Sequence, residues 1–270
     1  MVAICATCGV EHAEAVGTCA ICADERQWVP AAGQQWRTLE ELAAAGHRTH
    51  VRDVEPGLFG LIVEPSVGIG QQAHLVQTPA GNVLWDPPGF VDDDAIRRLR
   101  ELGDVVAITS SHPHMFGAQV EWSHALGRVP VLVSEPDAGW VQRPDPVIET
   151  WSERREIVDG VTLLRLGGHF PGSAVILWAG GAGGRGVLLA SDTIQANPDR
   201  SSTTFMRSYP NRIPLSASVV ERIAAAVDGL AFDRLYDNFG RTIDTDAKAT
   251  VARSAARFAG WARGDFDDLT

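Results

Sequence analysis

Cysteine is absent from residues 23–270 of this 270-residue chain; all four, Cys5, Cys8, Cys19 and Cys22, crowd into the first 22 positions. A disulfide framework is normally spread over the fold it staples, so the crowding argues against that class of protein, with two disulfides or spare thiols as the alternative reading. Lysine is almost missing as well: Lys248 stands alone among 23 basic residues, which face 34 acidic ones for a formal net charge of −11. Nucleic-acid binding needs clustered basic side chains against phosphate, so the charge balance argues against it. The Arg- and Ala-rich bias points to a GC-rich bacterial genome. Long apolar runs are missing too. Val161–Leu164 and Val187–Ala190 are strand-sized, far below the roughly 18 residues of a membrane span. The start, Met1-Val2-Ala3-Ile4-Cys5, has neither the basic nor the apolar region of a secretory signal. The expectation is a soluble, cytoplasmic protein with reduced thiols and neither membrane nor nucleic acid as partner. With 45% hydrophobic and 21% charged residues, wholesale disorder is excluded, and the length suits one large domain with an appendage.

What is there begins with the cysteines. Cys5-Ala-Thr-Cys8-Gly9 and Cys19-Ala-Ile-Cys22 are two CxxC pairs ten residues apart. Each pair can form a turn presenting two thiolates, and two such turns close a tetrahedral zinc site. His12 lies between them, but four thiolates already fill the tetrahedron. Residues 1–30 are therefore read as a four-cysteine zinc ribbon, too short for its own apolar core and dependent on structural zinc for folding. One basic residue, Arg26, against Glu11, Glu14, Asp24 and Glu25 disfavours a nucleic-acid finger. The ribbon is instead a candidate surface for a protein partner or a second copy of the chain.

Residues 31–270 form the main domain. Thr38-Leu-Glu-Glu41 has capping-box spacing and opens a helix ending near Gly46. Strands are expected at 58–64, 73–77 and 83–85, a helix after Asp92-Asp-Asp94 to Leu102, a buried strand at 105–109, a helix at 118–126 and a strand at 129–133. Further strands fall at 161–166, 175–178 and 187–190, the last two joined by a flexible Gly180–Gly186 loop. Helix 215–227, strand 232–236 and helix 246–262 close the chain. This α+β pattern of short strands and helices suggests two sheets flanked by helices.

Three segments carry candidate chemistry. Thr109-Ser-Ser-His112-Pro-His114-Met-Phe116-Gly117 follows a buried strand, and alternate residues of an extended segment point the same way, so His112 and His114 can project together. Gly167-Gly-His169-Phe-Pro-Gly-Ser173 lies between two strands. Leu188-Leu-Ala-Ser-Asp192 places a carboxylate at the end of an apolar strand, where it could equally cap a helix. Three histidines and a carboxylate at strand ends make a metal-ligand set.

This order resembles the metallo-β-lactamase-fold hydrolases: a His-x-His motif after an early strand, a Gly-His-x-Pro-Gly-Ser turn, then an apolar strand ending in Asp. Leu84-Trp85-Asp86 is similar to the family's earlier strand-end Asp. The resemblance spans roughly Leu58 to Tyr236. It implies a four-layer αβ/βα sandwich, with His112, His114 and His169 on one metal and Asp192 able to bridge to a second. Where the family's first motif runs His-x-His-x-Asp-His, this chain has Phe116 and Gly117. No histidine stands at Tyr236-Asp237-Asn238-Phe239-Gly240, where the family's last one falls. One ion, zinc or iron, on three His and one Asp is the expectation.

The favoured function is a metal-dependent hydrolase of a small ester, thioester, lactone or amide. A three-ligand zinc lowers the pKa of bound water to about 7, and a general base is then needed. Glu121, one to two helical turns after His114, is a candidate, with a solvated helix face as its alternative reading; unbound Asp192 is another. Tyr209, with Arg207, could polarise a substrate oxygen. Arg241 could fill the second-metal space with a cation, or pair with Asp237 or Asp244. Two alternatives stand beside the hydrolase. One is a non-haem iron sulfur or thiol oxidoreductase on the same ligands; the other is a non-catalytic adaptor on a degenerate hydrolase fold.

Overall fold

Short aliphatic runs, each stopped by Gly, Pro or Asp, become the strands of two mixed sheets, one in each of the two units into which the chain divides, Met1–Ser152 and Glu153–Thr270. The structure is a computed structural model of Met1–Thr270. In the first unit, β1 (Ala3–Cys5), β2 (Glu11–His12) and β3 (Trp36–Arg37) make a small sheet in the order β2-β1-β3, beside the short helix α1 (Ala20–Ala23). The ribbon thus runs past residue 30, because Trp36 pairs with Cys5 and Arg37 with Ile4. Helix α2 (Leu39–Ala44) has the expected capping box: Glu41 N donates to Thr38 Oγ1 at 3.1 Å and Thr38 N to Glu41 Oε2 at 3.0 Å.

Seven strands follow: β4 (Arg48–Glu55), β5 (Leu58–Glu64), β6 (Ala73–Val76), β7 (Asn82–Trp85), β8 (Val105–Thr109), β9 (Val131–Ser134) and β10 (Ile148–Trp151). They lie side by side in the order β10-β9-β8-β7-β6-β5-β4, antiparallel from β4 to β7 and parallel from β7 to β10. Helix α3 (Asp93–Leu102) starts where Asp92 accepts from Ala95 N at 2.8 Å, and α4 (Gln119–Ala125) follows β8. Leu61, Leu75, Leu84, Ile108 and Trp122 are fully buried in a core that also includes the four cysteines and Ile21. Burying such side chains stabilises by about 1.5–3 kcal/mol each, so the ribbon folds as part of this core.

In the second unit, β11 (Arg154–Val158), β12 (Val161–Arg165), β13 (Ala174–Trp178), β14 (Val187–Leu189), β19 (Arg234–Tyr236) and β20 (Thr242–Ile243) pair in that order, with only β14–β19 parallel. Between them come the short turn α5 (Gly181–Gly184), the pairs β15 (Gln195–Ala196) with β16 (Thr203–Thr204) and β17 (Met206–Ser208) with β18 (Ile213–Pro214), and helix α6 (Ala217–Asp228). Helix α7 (Ala247–Arg263) closes the unit. The expected flexible Gly180–Gly186 loop is instead a helical turn with Gly181 and Ala182 buried. Helix α6 buries Val220, Ile223 and Val227, at the spacing of one helix face.

Parallel pairing sets where the chemistry sits. Trp85 is level with Thr109, and Leu189 with Tyr236. Asp86 and Ser110 therefore leave one sheet at the same end, and Asp192 and Asp237 follow strands that end together in the other. Carboxyl ends of parallel strands are the places where open sheets bind ligands. No helix is long and apolar enough to cross a membrane.

Candidate metal centres

The four cysteines form the first centre. All are buried and in the free thiol state, and their Sγ atoms lie within 4.8 Å of one another. Cys5 Sγ is 3.5 Å from Cys22 Sγ, and Cys8 Sγ is 3.8 Å from Cys19 Sγ. Four sulfurs at about 2.3 Å from a tetrahedral zinc sit about 3.8 Å apart, so the cluster has the dimensions of a structural zinc site. Outer donors complete it: Gln34 Nε2 donates to Cys5 Sγ at 3.0 Å, Cys8 N to Cys5 Sγ at 3.5 Å, and His12 Nε2 lies 3.4 Å from Cys19 Sγ. His12 is thus an outer partner of a thiolate. Hydrogen bonds from Cys22, then Cys5 and Cys8, hold the Cys19 thiol far below its usual range, whereas those to Cys19, Cys22 and Cys5 push Cys8 up. Bringing negative thiolates this close favours a cation among them.

The other candidate ligands lie two in each unit, His112 with His114 and His169 with Asp192. In the first unit, Pro113–Met115 forms a 3₁₀ turn, with Met115 N donating to His112 O at 2.9 Å. This departs from the extended segment expected from the sequence. Pro113 sits at the first position of the turn, where its fixed φ and missing N–H fit. The turn brings the His112 and His114 rings to 5.1 Å between centroids. Both are 1% exposed. Behind His112 runs a relay. Asp86 Oδ1 accepts from Ser111 N at 2.6 Å and Asp86 Oδ2 from Ser111 Oγ at 3.0 Å, while Ser111 Oγ lies 2.8 Å from His112 Nδ1. The hydroxyl has one proton; given to Asp86, it leaves Oγ to accept from His112 Nδ1–H, so Nε2 is the atom that could act as a ligand. Asp86 holds a left-handed φ of 56° to do this, a conformation Asp tolerates better than most residues.

In the second unit, His169 Nδ1 is 3.1 Å from Met206 O. A carbonyl only accepts, so Nδ1 carries the proton and Nε2 turns to Asp192, whose Oδ2 is 3.8 Å away. His169 and Asp192 are 1% and 6% exposed. Tyr209 OH donates to the Asp192 carbonyl at 3.1 Å. Burial first, then the charges of Asp192 and Asp237, push its phenol well above its usual range, so Tyr209 stays protonated and acts as a hydrogen-bond donor. Asp237, directly after β19, accepts from Phe239 N at 2.8 Å and Arg241 N at 3.0 Å through Oδ1, while its buried Oδ2 has no hydrogen-bond partner. Burial raises its pKa against those bonds and the Arg241 charge. Sequence reading noted Asp237 only as a mate for Arg241; its strand-end position, level with β14, was the available signal.

Two candidates change role. Glu121 pairs with Arg143, which also bonds Glu11 Oε2 at 2.7 Å, so this carboxylate serves an ion-pair cluster and is not free as a general base. Burial pushes the Glu11 carboxyl up to about 7 despite bonds from Val120 N and Arg143. Arg241 is held by its backbone: its N–H binds Asp237 Oδ1, and its carbonyl accepts from Asp237 N at 3.1 Å. Its charge bears on Asp237, as one of the two sequence readings had it.

As donors, three buried imidazoles and one buried carboxylate are a set that could hold a metal ion, and their chemistry fits zinc or iron. No protein-family model matches the chain. The uncharacterized protein YmaE of Bacillus subtilis (strain 168) is 45% identical over 260 residues, 94% of each chain. Among solved structures, the DIM-1 metallo-β-lactamase superposes with a TM-score of 0.59 at 13% identity, over 80% of this chain and 98% of its own. The FIM-1 metallo-β-lactamase from Pseudomonas aeruginosa, in its mono-zinc form, does so with a TM-score of 0.55 at 11% identity, over 78% and 96%. At such identities the likeness is one of fold, and it bears out the α+β metallo-β-lactamase-like fold expected from the motifs.

Proposed function

Since the chain belongs to the same family as YmaE and has the metallo-β-lactamase fold, we propose that it is a metal-dependent hydrolase of a small ester, thioester, lactone or amide. Its working ion is one, held by His112, His114, His169 and Asp192. The observation that carries this reading is the matched preparation of the donors: His112 and His169, one in each unit, have Nδ1 spent on an outer oxygen and Nε2 left as ligand. FIM-1 in its mono-zinc form is a precedent for one ion in this fold.

A bound ion there would supply Lewis acidity and a water acidic enough to ionise near neutral pH. The residues of the chain do the rest. Asp192 has two carboxylate oxygens: one would help hold the ion, and the other would accept a hydrogen bond, and then the proton, from the attacking water. Tyr209 fixes the Asp192 backbone and keeps its own proton. Asp237 extends the negative lining of the second unit. Phe170, fully buried with its ring centroid 5.3 Å from that of His169, keeps solvent from that histidine. A net charge of −11 repels polyanions and favours small substrates. The reduced cysteines suit the cytoplasm.

Metal analysis with a panel of esters, thioesters and lactones tests the reading. Wild type should carry one ion beyond that of the ribbon, and a His112→Ala, His169→Ala double variant should lose that ion and the turnover. Full activity in the double variant would overturn the proposal. An iron load with oxygen consumption on thiols would select the oxidoreductase alternative.

A further inference from the structure

Helix α4 begins without a cap of its own: Ala118, at its N-cap, offers no side-chain acceptor. The missing acceptor comes from the ribbon. Glu11 Oε1 accepts from Val120 N, and Glu11 Oε2 from Glu121 N at 3.3 Å. The Glu11 main chain joins in, its N–H donating to Gly117 O at 2.9 Å. From His112 to α4 the chain is a run of turns, closed by Met115 N to His112 O, Phe116 N to Pro113 O and Gln119 N to Phe116 O. Glu11 therefore grips this run three residues beyond His114 and again at Val120.

Glu11 is itself gripped by the cysteine cluster. It lies three residues after Cys8 and one before His12, whose Nε2 contacts Cys19 Sγ. The intervening knuckle is tight: Gly9 N donates to Cys5 O at 2.8 Å and Cys5 N to Val10 O at 3.0 Å. The knuckle also seats against the main sheet's loops. A Cβ on Gly68 would lie 2.2 Å from Gly9 N, and one on Gly89 2.4 Å from Gly9 O. At 2% exposure, with Arg143 as ion-pair partner, Glu11 is a buried carboxyl set in place by the ribbon strand that carries it.

We propose that Glu11 is a positioning residue for the His112-x-His114 turn, so that metal in the four-cysteine cluster sets the ligand geometry of the histidines. The relevance to metal binding rests on the proposed single-ion site; the mechanical coupling does not. When the cluster loses its metal, the knuckle loosens, Glu11 leaves the α4 N-terminus, and the turn carrying both histidines loses its outer support.

The test uses the full chain in three variants: Glu11→Gln, Glu11→Ala, and Cys5→Ser with Cys8→Ser. One readout is amide hydrogen exchange over residues 112–121; the other is the visible spectrum of cobalt titrated into the histidine site with the ribbon zinc in place. In Glu11→Ala, Val120 and Glu121 amides should exchange about 10-fold faster, the effect of losing one hydrogen bond to a charged group, and cobalt should bind the histidines about 10–100-fold more weakly. Glu11→Gln keeps an acceptor oxygen and should recover most of both. The cysteine variant should match Glu11→Ala in exchange. Unchanged exchange and an unchanged cobalt spectrum in Glu11→Ala, with ribbon zinc retained, would overturn the proposal even if the cysteine variant does not fold. If wild type binds no cobalt at its histidines, the hydrolase reading fails, while the exchange result alone decides the coupling.

Discussion

Gly117 falls where the resemblance to the metallo-β-lactamase-fold hydrolases puts the last histidine of their first motif, and its surroundings make a sharp test. Its φ is +51°, and a Cβ built there would lie 1.9 Å from Pro87 O and 2.9 Å from Pro87 C. Both are backbone, so no side chain can swing aside; the chain must retreat by about 1 Å. For Gly117→Ala, the left-handed conformation costs about 1 kcal/mol and overpacking of a closed backbone contact about 1–3 kcal/mol. Retreat also weakens the bonds of Gly117 O with Glu11 N and of Ala118 N with Pro88 O, at about 1 kcal/mol each. The expected loss is about 4–6 kcal/mol, read as a drop of about 10 °C in the thermal midpoint. Gly127→Ala is the control: its φ is +96°, and nothing lies within 4 Å of a Cβ there, so it should cost only the conformational share, about 1 kcal/mol. Calorimetry or urea melts of the two variants separate the parts. Equal, small losses at both positions would refute the close-approach argument. Gly117→His should be at least as damaging and should add no metal to the protein.

Three further outcomes follow from the same geometry. His74 is buried, and desolvation lowers its pKa to about 4 from 6.5. The unfolded chain therefore binds more protons between those values, so stability rises with pH through the window and is complete above it; relative to His74→Gln, wild type should lose about 2 kcal/mol between pH 7 and pH 5 in urea melts. Ser111→Ala breaks the relay from Asp86 to His112 and should weaken metal binding at the histidines about 10–100-fold in chelator competition, leaving ribbon zinc in place. Tyr209→Phe removes the bond to the Asp192 carbonyl and should lower stability by about 1 kcal/mol in urea melts without changing metal content.

Much of this was legible in the chain because the signals are local. The CxxC spacing foretold the thiol cluster, Thr38 with Glu41 foretold the capping box, and apolar runs closed by Asp foretold the strand ends at Trp85 and Leu189. The illegible parts depend on partners distant in sequence. Strand β4, Arg48-Thr-His-Val-Arg-Asp-Val-Glu55, hides because it lies at a sheet edge and carries charges there, as edge strands do. The ribbon's third strand hides because its partner, Cys5, is some 30 residues away. Glu121 has helical spacing from His114, but its direction is set by Arg143 and by Glu11, 110 residues distant. The His-x-His segment followed neither strand alternation nor helix, because Pro113 nucleates a 3₁₀ turn.

The three places where the resemblance puts second-metal ligands each have another task. Phe116 is 2% exposed and packs in the core that holds the cysteines; an Asp there would bury a charge against apolar side chains, at a cost of several kcal/mol. Gly117 lies against Pro87 and receives Glu11. Asp237 folds the loop after β19 over its own carboxylate, drawing in the amides of Phe239 and Arg241. Putting the ligands back at 116 and 117 would therefore collide with the seat of the ribbon, not merely alter a cleft. The docked ribbon and the proposed single-ion site are two sides of one arrangement. A relative of this chain that kept the Glu11 clamp while carrying Asp and His at those positions would be incompatible with that conclusion.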